Sequence, residues 1–245
     1  MTLIKKVKKY LFKRQNSFFI MLVLSPYFIT KRQIYLQAVE ALTYVSANEI
    51  ILDVGCGSMP YKDLFQSKGE YIGLDYSITR NANIVGSASC MPIRSDSISN
   101  ILCFEVLEHT NNPYKVISEF SRVLHEDGIV ILTTPMCWSL HYEPYDYFRF
   151  TNHGLRHLFY SNNFEVLKIE RIGGLFTFFF ARLIDIISRW LRNVVLFRNF
   201  KYRGFFVSIL MSPIVATLYL LALILDKVSS DDAMGWSVVA KKKSG

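Results

Sequence analysis

The stretch Ile50-Ile51-Leu52-Asp53-Val54-Gly55-Cys56-Gly57-Ser58 decides how the chain is read: an apolar run stops on an acid and breaks into a glycine turn. A short aliphatic run bounded by glycines predicts a buried parallel strand, and the glycines let a ligand approach the backbone where a Cβ would collide. Turns of this kind, at the carboxyl ends of strands, are where open α/β sheets bind nucleotides. Tyr71-Ile72-Gly73-Leu74-Asp75 predicts a second strand, again ending on an acid. Asp75 lies about 20 residues beyond the glycines, the separation at which a βαβ unit offers a carboxylate to a ribose. One nucleoside-like ligand would satisfy both features.

Working outward, Asn83-Ile84-Val85 predicts a short third strand and Ile98 to Phe104 a fourth, followed by Glu105-Val106-Leu107-Glu108-His109. Asn112 caps the next helix with Pro113 in its first turn, and Val116, Ile117, Phe120, Val123 and Leu124 form its apolar stripe before Gly128 ends it. Ile129 to Thr133 reads as a fifth strand, Thr151 to Ser161 as a capped helix, Phe164 to Ile172 as a sixth strand and Trp236 to Ala240 as a last one.

The runs Asp53-Val54-Gly55-Cys56-Gly57, Gly73-Leu74-Asp75, Leu102 to His109 and Arg122 to Gly128 resemble, in order, the motifs of class I S-adenosylmethionine-dependent methyltransferases, most of all the type 11 group. The resemblance covers residues 45–171 and the final strand near 236–241. It implies an α/β fold, a Rossmann-like seven-stranded, mostly parallel sheet with helices on both faces, in which the last strand inserts beside the fifth and sixth. It also implies S-adenosyl-L-methionine as cofactor. Asp53, Gly55, Cys56 and Gly57 would hold its methionine portion, Asp75 its ribose hydroxyls, and Tyr76, Ala88 and Ser89 its adenine. Glu105 would line the methionine pocket. The chain departs from the pattern at Ser58-Met59, where a small residue is expected, and at Ser87, where an acid is expected. A nicotinamide-binding fold would want a glycine or alanine at Pro60.

Methyl transfer from a sulfonium needs an aligned acceptor lone pair and, for a hydroxyl, somewhere for the proton to go. An imidazole near its reference pKa is the natural base, which singles out His141 and His109, with Asp146 as orienting acid or substitute. His141 and Asp146 belong to a stretch from Trp138 to Phe150 that is too aromatic and charged for a plain connector. Its segment Glu143 to Thr151 is similar to that of bacterial methyltransferases of surface-polysaccharide pathways. Oxygen and imidazole donors in Glu105, Glu108 and His109 would also suit a divalent cation. The reading adopted assigns no metal: Glu108 lies outside the first contacts and His109 packs under the loop.

The four cysteines, Cys56, Cys90, Cys103 and Cys137, form no CxxC pair, so neither a zinc ribbon nor a disulfide framework is indicated, and a reducing compartment fits. A net charge of +8 and 51% hydrophobic residues, with mean hydropathy +0.23, are high together for an ordinary enzyme. The basic residues cluster beside apolar runs at both ends of the chain. That combination favours an anionic membrane surface over nucleic acid, and the Asn/Asp-Pro-Pro-Tyr/Phe motif of base aminomethylases is missing.

Residues 1–32 read as a basic amphipathic N-terminal segment with a helix over 4–14 and an apolar run from Phe18 to Leu24 too short to span a bilayer, residues 33–172 as the core, opening on a stretch from Gln33 to Val45 that resembles the family's helix before the first strand, 173–228 as an apolar and basic helical insertion, and 229–245 as the final strand with a basic tail. Phe205 to Leu225 carries no charge and has the length of a bilayer span. A single crossing would put the last strand on the wrong side of the membrane, so a hairpin in the interface, bent at Pro213, is expected. A protein-packed helix competes. The function expected is O-methylation of a glycan, lipid-linked or other membrane-associated small acceptor, by a cytoplasmic enzyme peripheral on the inner face of the membrane. The rivals are a degenerate domain that binds the cofactor without catalysis and a nucleic-acid methyltransferase.

Overall fold

The computed structural model describes residues 28–77, 81–193, 203–228 and 231–244. It divides into two compact units, Ile34–Ile172 with Ala233–Gly245, and Met1–Gln33 with Gly173–Asp232. The helix expected over residues 4–14 and the apolar run 18–24 lie outside the described residues.

In the larger unit, β1 (Glu49–Val54), β2 (Gly69–Asp75), β3 (Ile84–Val85), β4 (Ile98–Phe104), β5 (Leu124–Pro135), β6 (Phe164–Ile172) and β7 (Gly235–Lys242) form one sheet in the order β3-β2-β1-β4-β5-β7-β6. β7 alone runs antiparallel to its neighbours, wedged between β5 and β6. The expected insertion of the last strand is thus observed.

Side chains alternate across a strand, and each face of the sheet is covered. Leu52, Val54, Ile101 and Val130 share one apolar cluster with α3 (Pro113–Val123) and α4 (Asn152–Tyr160). Ile51, Leu102, Ile131 and Val239 share the other with α1 (Phe28–Ala41) and α2 (Lys62–Phe65). The expected caps of α3 and α4 are present: Asn112 Oδ1 accepts from the Lys115 amide at 3.0 Å, and Thr151 Oγ1 from the Gly154 amide at 3.0 Å.

Two boundaries differ from expectation. α1 begins at Phe28 and stops at Ala41, rather than running from Gln33 to Val45. α3 ends at Val123, and β5 starts at Leu124 rather than Ile129. Leu124 has turned extended, with ψ 142°, and pairs with Ile98. An offered β-ladder partner outweighs the residue's own helical period there.

The smaller unit is a helical pair. α5 (Leu175–Asn193) packs against α6 (Arg203–Leu225), which carries Pro213 inside it. Val207, Met211, Val215, Tyr219 and Ala222 form the buried stripe of α6 at steps of three and four residues. Asp226, just past the end of α6, crosses to the start of α5. Its carboxylate accepts from the Gly174, Phe176 and Thr177 amides at 2.8, 2.8 and 3.2 Å and from Thr177 Oγ1 at 2.6 Å. A helix start leaves orphan N–H groups and a positive dipole end. Asp226 satisfies both from about 50 residues away in sequence. Among the described residues no helix is long and apolar enough to cross a membrane.

Candidate active site

The parallel strands deliver their loops to one edge of the sheet, and unusual backbone conformations gather there. Gly55 and Gly57, after β1, take φ +73° and +47°. A Cβ on Gly55 would collide with the Val106 side chain, whereas one on Gly57 would meet open space. The turn is therefore packed at its base and free at its lip, a cradle that a ligand could occupy. Met59, where a small residue was expected, also takes a positive φ, +54°, yet its side chain is buried. It packs close against Gly73, so apolar burial offsets a strain of about 1–3 kcal/mol. Glu105, directly after β4, has φ +55° and donates its amide to Thr133 O at 3.0 Å.

The acids along this edge divide by environment. Asp53 is buried and accepts a 2.5 Å hydrogen bond from the Tyr71 hydroxyl, and burial pushes its carboxyl up to about 7. It braces the turn from below. Asp75 is half-buried and accepts from the Gly57 amide at 2.9 Å and from the Ser77 amide and hydroxyl at 3.0 and 2.9 Å. One carboxylate thus ties the end of β2 to the turn after β1. Cys56 is buried with its thiol pushed up to about 11, first by that burial. It contributes backbone and packing, not a thiolate. Tyr76 is exposed, and Ala88 and Ser89 are half-buried beside a Ser87–Ser89 hydroxyl contact of 2.9 Å. Burial raises Glu105 to about 7; Glu108, fully buried, is also raised, first by burial and then by Glu105.

The residues expected to handle a proton converge. His109 lies in a 3-10 turn, Leu107–His109, after β4; His141 and Asp146 lie in the loop after β5. The loop is clipped over that turn: Tyr147 N donates to Glu108 O at 2.9 Å, and His109 Nδ1 meets Tyr145 O at 2.7 Å. The two imidazole rings stand edge to face with centroids 4.7 Å apart, and Tyr142 joins them. His141 Nδ1 lies 3.3 Å from Asp146 Oδ2, and the His141 amide donates to the same oxygen at 3.0 Å. Arg149 grips Asp146 with both guanidinium nitrogens, at 2.6 and 2.7 Å, and holds its carboxyl well below the usual range. So anchored, Asp146 orients His141; a carboxylate this acidic is a weak base. Burial lowers His109, which keeps it neutral with a lone pair available near neutral pH.

Sequence reasoning missed Arg149's grip on Asp146, Tyr71's bond to Asp53 and the pairing of the two histidines. Nothing in linear order marks contacts between residues 32 positions apart, as His109 and His141 are.

Residues 52–132 match the family described as Methyltransferase domain. The matched stretch runs from within β1 to within β5 and takes in the glycine turn and the motif after β4. A probable S-adenosylmethionine-dependent methyltransferase of Mycolicibacterium smegmatis is 27% identical over 107 residues, which are 39% of this chain and 42% of that protein. The chain therefore matches less than half the length of this curated relative. A solved S-adenosylmethionine-dependent methyltransferase of Archaeoglobus fulgidus superposes with TM-score 0.55 at 13% identity, over 89% of this chain and 95% of the other. The cyclase SpnF superposes with TM-score 0.54 at 18% identity, over 84% and 80%. Such distant likenesses establish the shared methyltransferase-type fold, and the cyclase illustrates that this fold hosts more than one reaction.

Proposed function

We propose that the chain transfers a methyl group from S-adenosylmethionine to an oxygen of a small acceptor, a glycan or lipid-linked molecule, at the cytoplasmic face of a membrane. S-adenosylmethionine supplies an electrophilic methyl on a sulfonium. The Gly55–Gly57 cradle, Asp75 and Glu105 would hold it, with Asp75 giving up its bonds to Gly57 and Ser77 for ribose hydroxyls. The observation that carries the choice of oxygen is the His109–His141 pair, with His141 oriented by Asp146. An oxygen nucleophile sheds a proton as its bond to carbon forms, and a neutral imidazole at the mouth of the site accepts it. The exposed tyrosines Tyr142, Tyr145 and Tyr147 suit a polar acceptor. Exposed apolar residues on α5, among them Phe179 and Trp190, and on α6, among them Leu210 and Ile224, support a membrane-associated one.

The test is transfer of labelled methyl from S-adenosylmethionine into fractionated cell-envelope extract. The expected product is label in the glycan or lipid fraction, stable to mild alkali as an ether is. His141→Ala should lower its rate about 100-fold, the scale of a lost general base. Label confined to nucleic acid or protein would overturn the acceptor class.

A further inference from the structure

Glu108 is fully buried, and only one of its carboxylate oxygens is satisfied: Oε2 accepts from Thr134 Oγ1 at 3.2 Å, while Oε1 is buried with no hydrogen-bond partner. An orphaned carboxylate oxygen is costly in a native interior and calls for a ligand. Oε1 faces His109 Nε2 at 3.8 Å, and a donor atom from each of Glu108, His109 and His141 lies within 4.8 Å of the others.

Each imidazole also has a partner outside this trio. His109 Nδ1 meets the Tyr145 carbonyl at 2.7 Å. His141 Nδ1 meets the Ser139 carbonyl at 3.1 Å and Asp146 Oδ2 at 3.3 Å. Carbonyls and a carboxylate only accept, so the proton of each ring sits on Nδ1 and the lone pair on Nε2. A second contact that fixes ring and tautomer in this way is characteristic of metal-ligating histidines.

We infer that Glu108, His109 and His141 form a site for one divalent transition cation. Two imidazoles and one carboxylate suit zinc, iron(II), manganese or cobalt better than magnesium, which prefers oxygen donors. Glu105, adjacent in the sequence motif, is not among the three donors; the second imidazole comes from the loop after β5. The guanidinium of Arg149 has its charge engaged by Asp146. Resting on the methyl-transfer reading, the role of such a cation would be to bind the acceptor oxygen and lower its pKa. With the cation bound, His109 and His141 are its ligands and the acceptor's proton is released to solvent; without it, an imidazole is the base proposed above.

The experiment uses the full chain after chelator treatment and gel filtration, titrated with cobalt(II) chloride as a spectroscopic probe and with zinc chloride in competition. The expected result is one cobalt per chain with ligand-field bands in the visible, displaced by zinc. His141→Ala and Glu108→Gln should each weaken uptake at least ~10-fold. His141 sits on a partly exposed loop, and unchanged S-adenosylmethionine calorimetry in His141→Ala would show that the fold is intact. Wild-type uptake no tighter than that of His141→Ala overturns the site. Cobalt uptake as expected without any S-adenosylmethionine binding would leave the site standing and remove the methyl-transfer reading. Methyl transfer at full rate in chelator, lost in His141→Ala, would remove the cation and leave the imidazole base.

Discussion

At the scale of single residues, the edge of the sheet is held by acids that do different work. Asp75 pins Gly57 and Ser77, so it shapes the cradle before any ligand arrives. Asp75→Ala should weaken S-adenosylmethionine binding by about 1.5–3 kcal/mol, the worth of a hydrogen bond to a charged group. Calorimetry reads this directly, and heat with NAD but none with S-adenosylmethionine would remove the cofactor assignment. Asp53 makes a pH prediction. Its folded pKa, about 7, lies above its ordinary value of 3.8 because of burial. Between those values the folded state binds more protons than the unfolded, so this group's contribution to stability is present at low pH and is lost as pH rises towards 7. Asp53→Asn keeps an acceptor for Tyr71 and removes the charge. Urea unfolding should show the variant gaining on the wild type from pH 4 to pH 7; a difference constant with pH would mean that Asp53 stays ionised.

At the scale of elements, the smaller unit depends on one long-range cap. Asp226 meets three amides and a hydroxyl at the start of α5, an arrangement that a local N-cap would normally provide. Asp226→Ala orphans those donors and should cost about 1–2 kcal/mol. Amide exchange at Phe176 and Thr177 should accelerate, while the strands of the larger unit keep their protection. Unchanged exchange at Thr177 would mean that water or Thr177 itself replaces the cap. In the loop after β5, Arg149 fixes Asp146 and Asp146 fixes His141.

At the scale of the whole molecule, apolar surface is left over after both units have folded. On α5, Phe179, Leu183, Ile186 and Trp190 are exposed at steps of three and four residues; on α6, Leu210, Ile214, Leu221 and Ile224 are exposed at steps of four, seven and three. A helix with one stripe buried and a second stripe apolar and exposed fits an interface with lipid. With a net charge of +8, the chain should sediment with anionic vesicles more than neutral ones. Binding should weaken between 0.1 and 1 M salt as the Debye length falls from about 10 to about 3 Å. Trp190→Asp should reduce it further. Cysteines placed at Arg203 and Lys227 should label from the same, cytoplasmic side in cells; labelling from opposite sides would mean a crossing.

What the sequence determined by itself was everything carried by local period and spacing. The glycine turn at 55–57, the acid at 75, the strands from β1 to β6 and the caps Asn112 and Thr151 are readable because strand alternation, helix stripes and capping act over a few residues. The position of β7 followed from resemblance, since an isolated apolar run such as 236–240 fits any edge of a sheet. The register of Leu124 was decided by a strand partner brought from β4, which no local pattern encodes. The site was legible as a list: Asp53, Asp75, Glu105, His109, His141 and Asp146 stand out by residue type. How they divide into brace, cradle, oriented imidazole and orphaned carboxylate was decided only by the tertiary structure. Burial sets the protonation of Asp53 and Glu108, the clipped loop sets which rings meet, and both are properties of the packed chain rather than of its order.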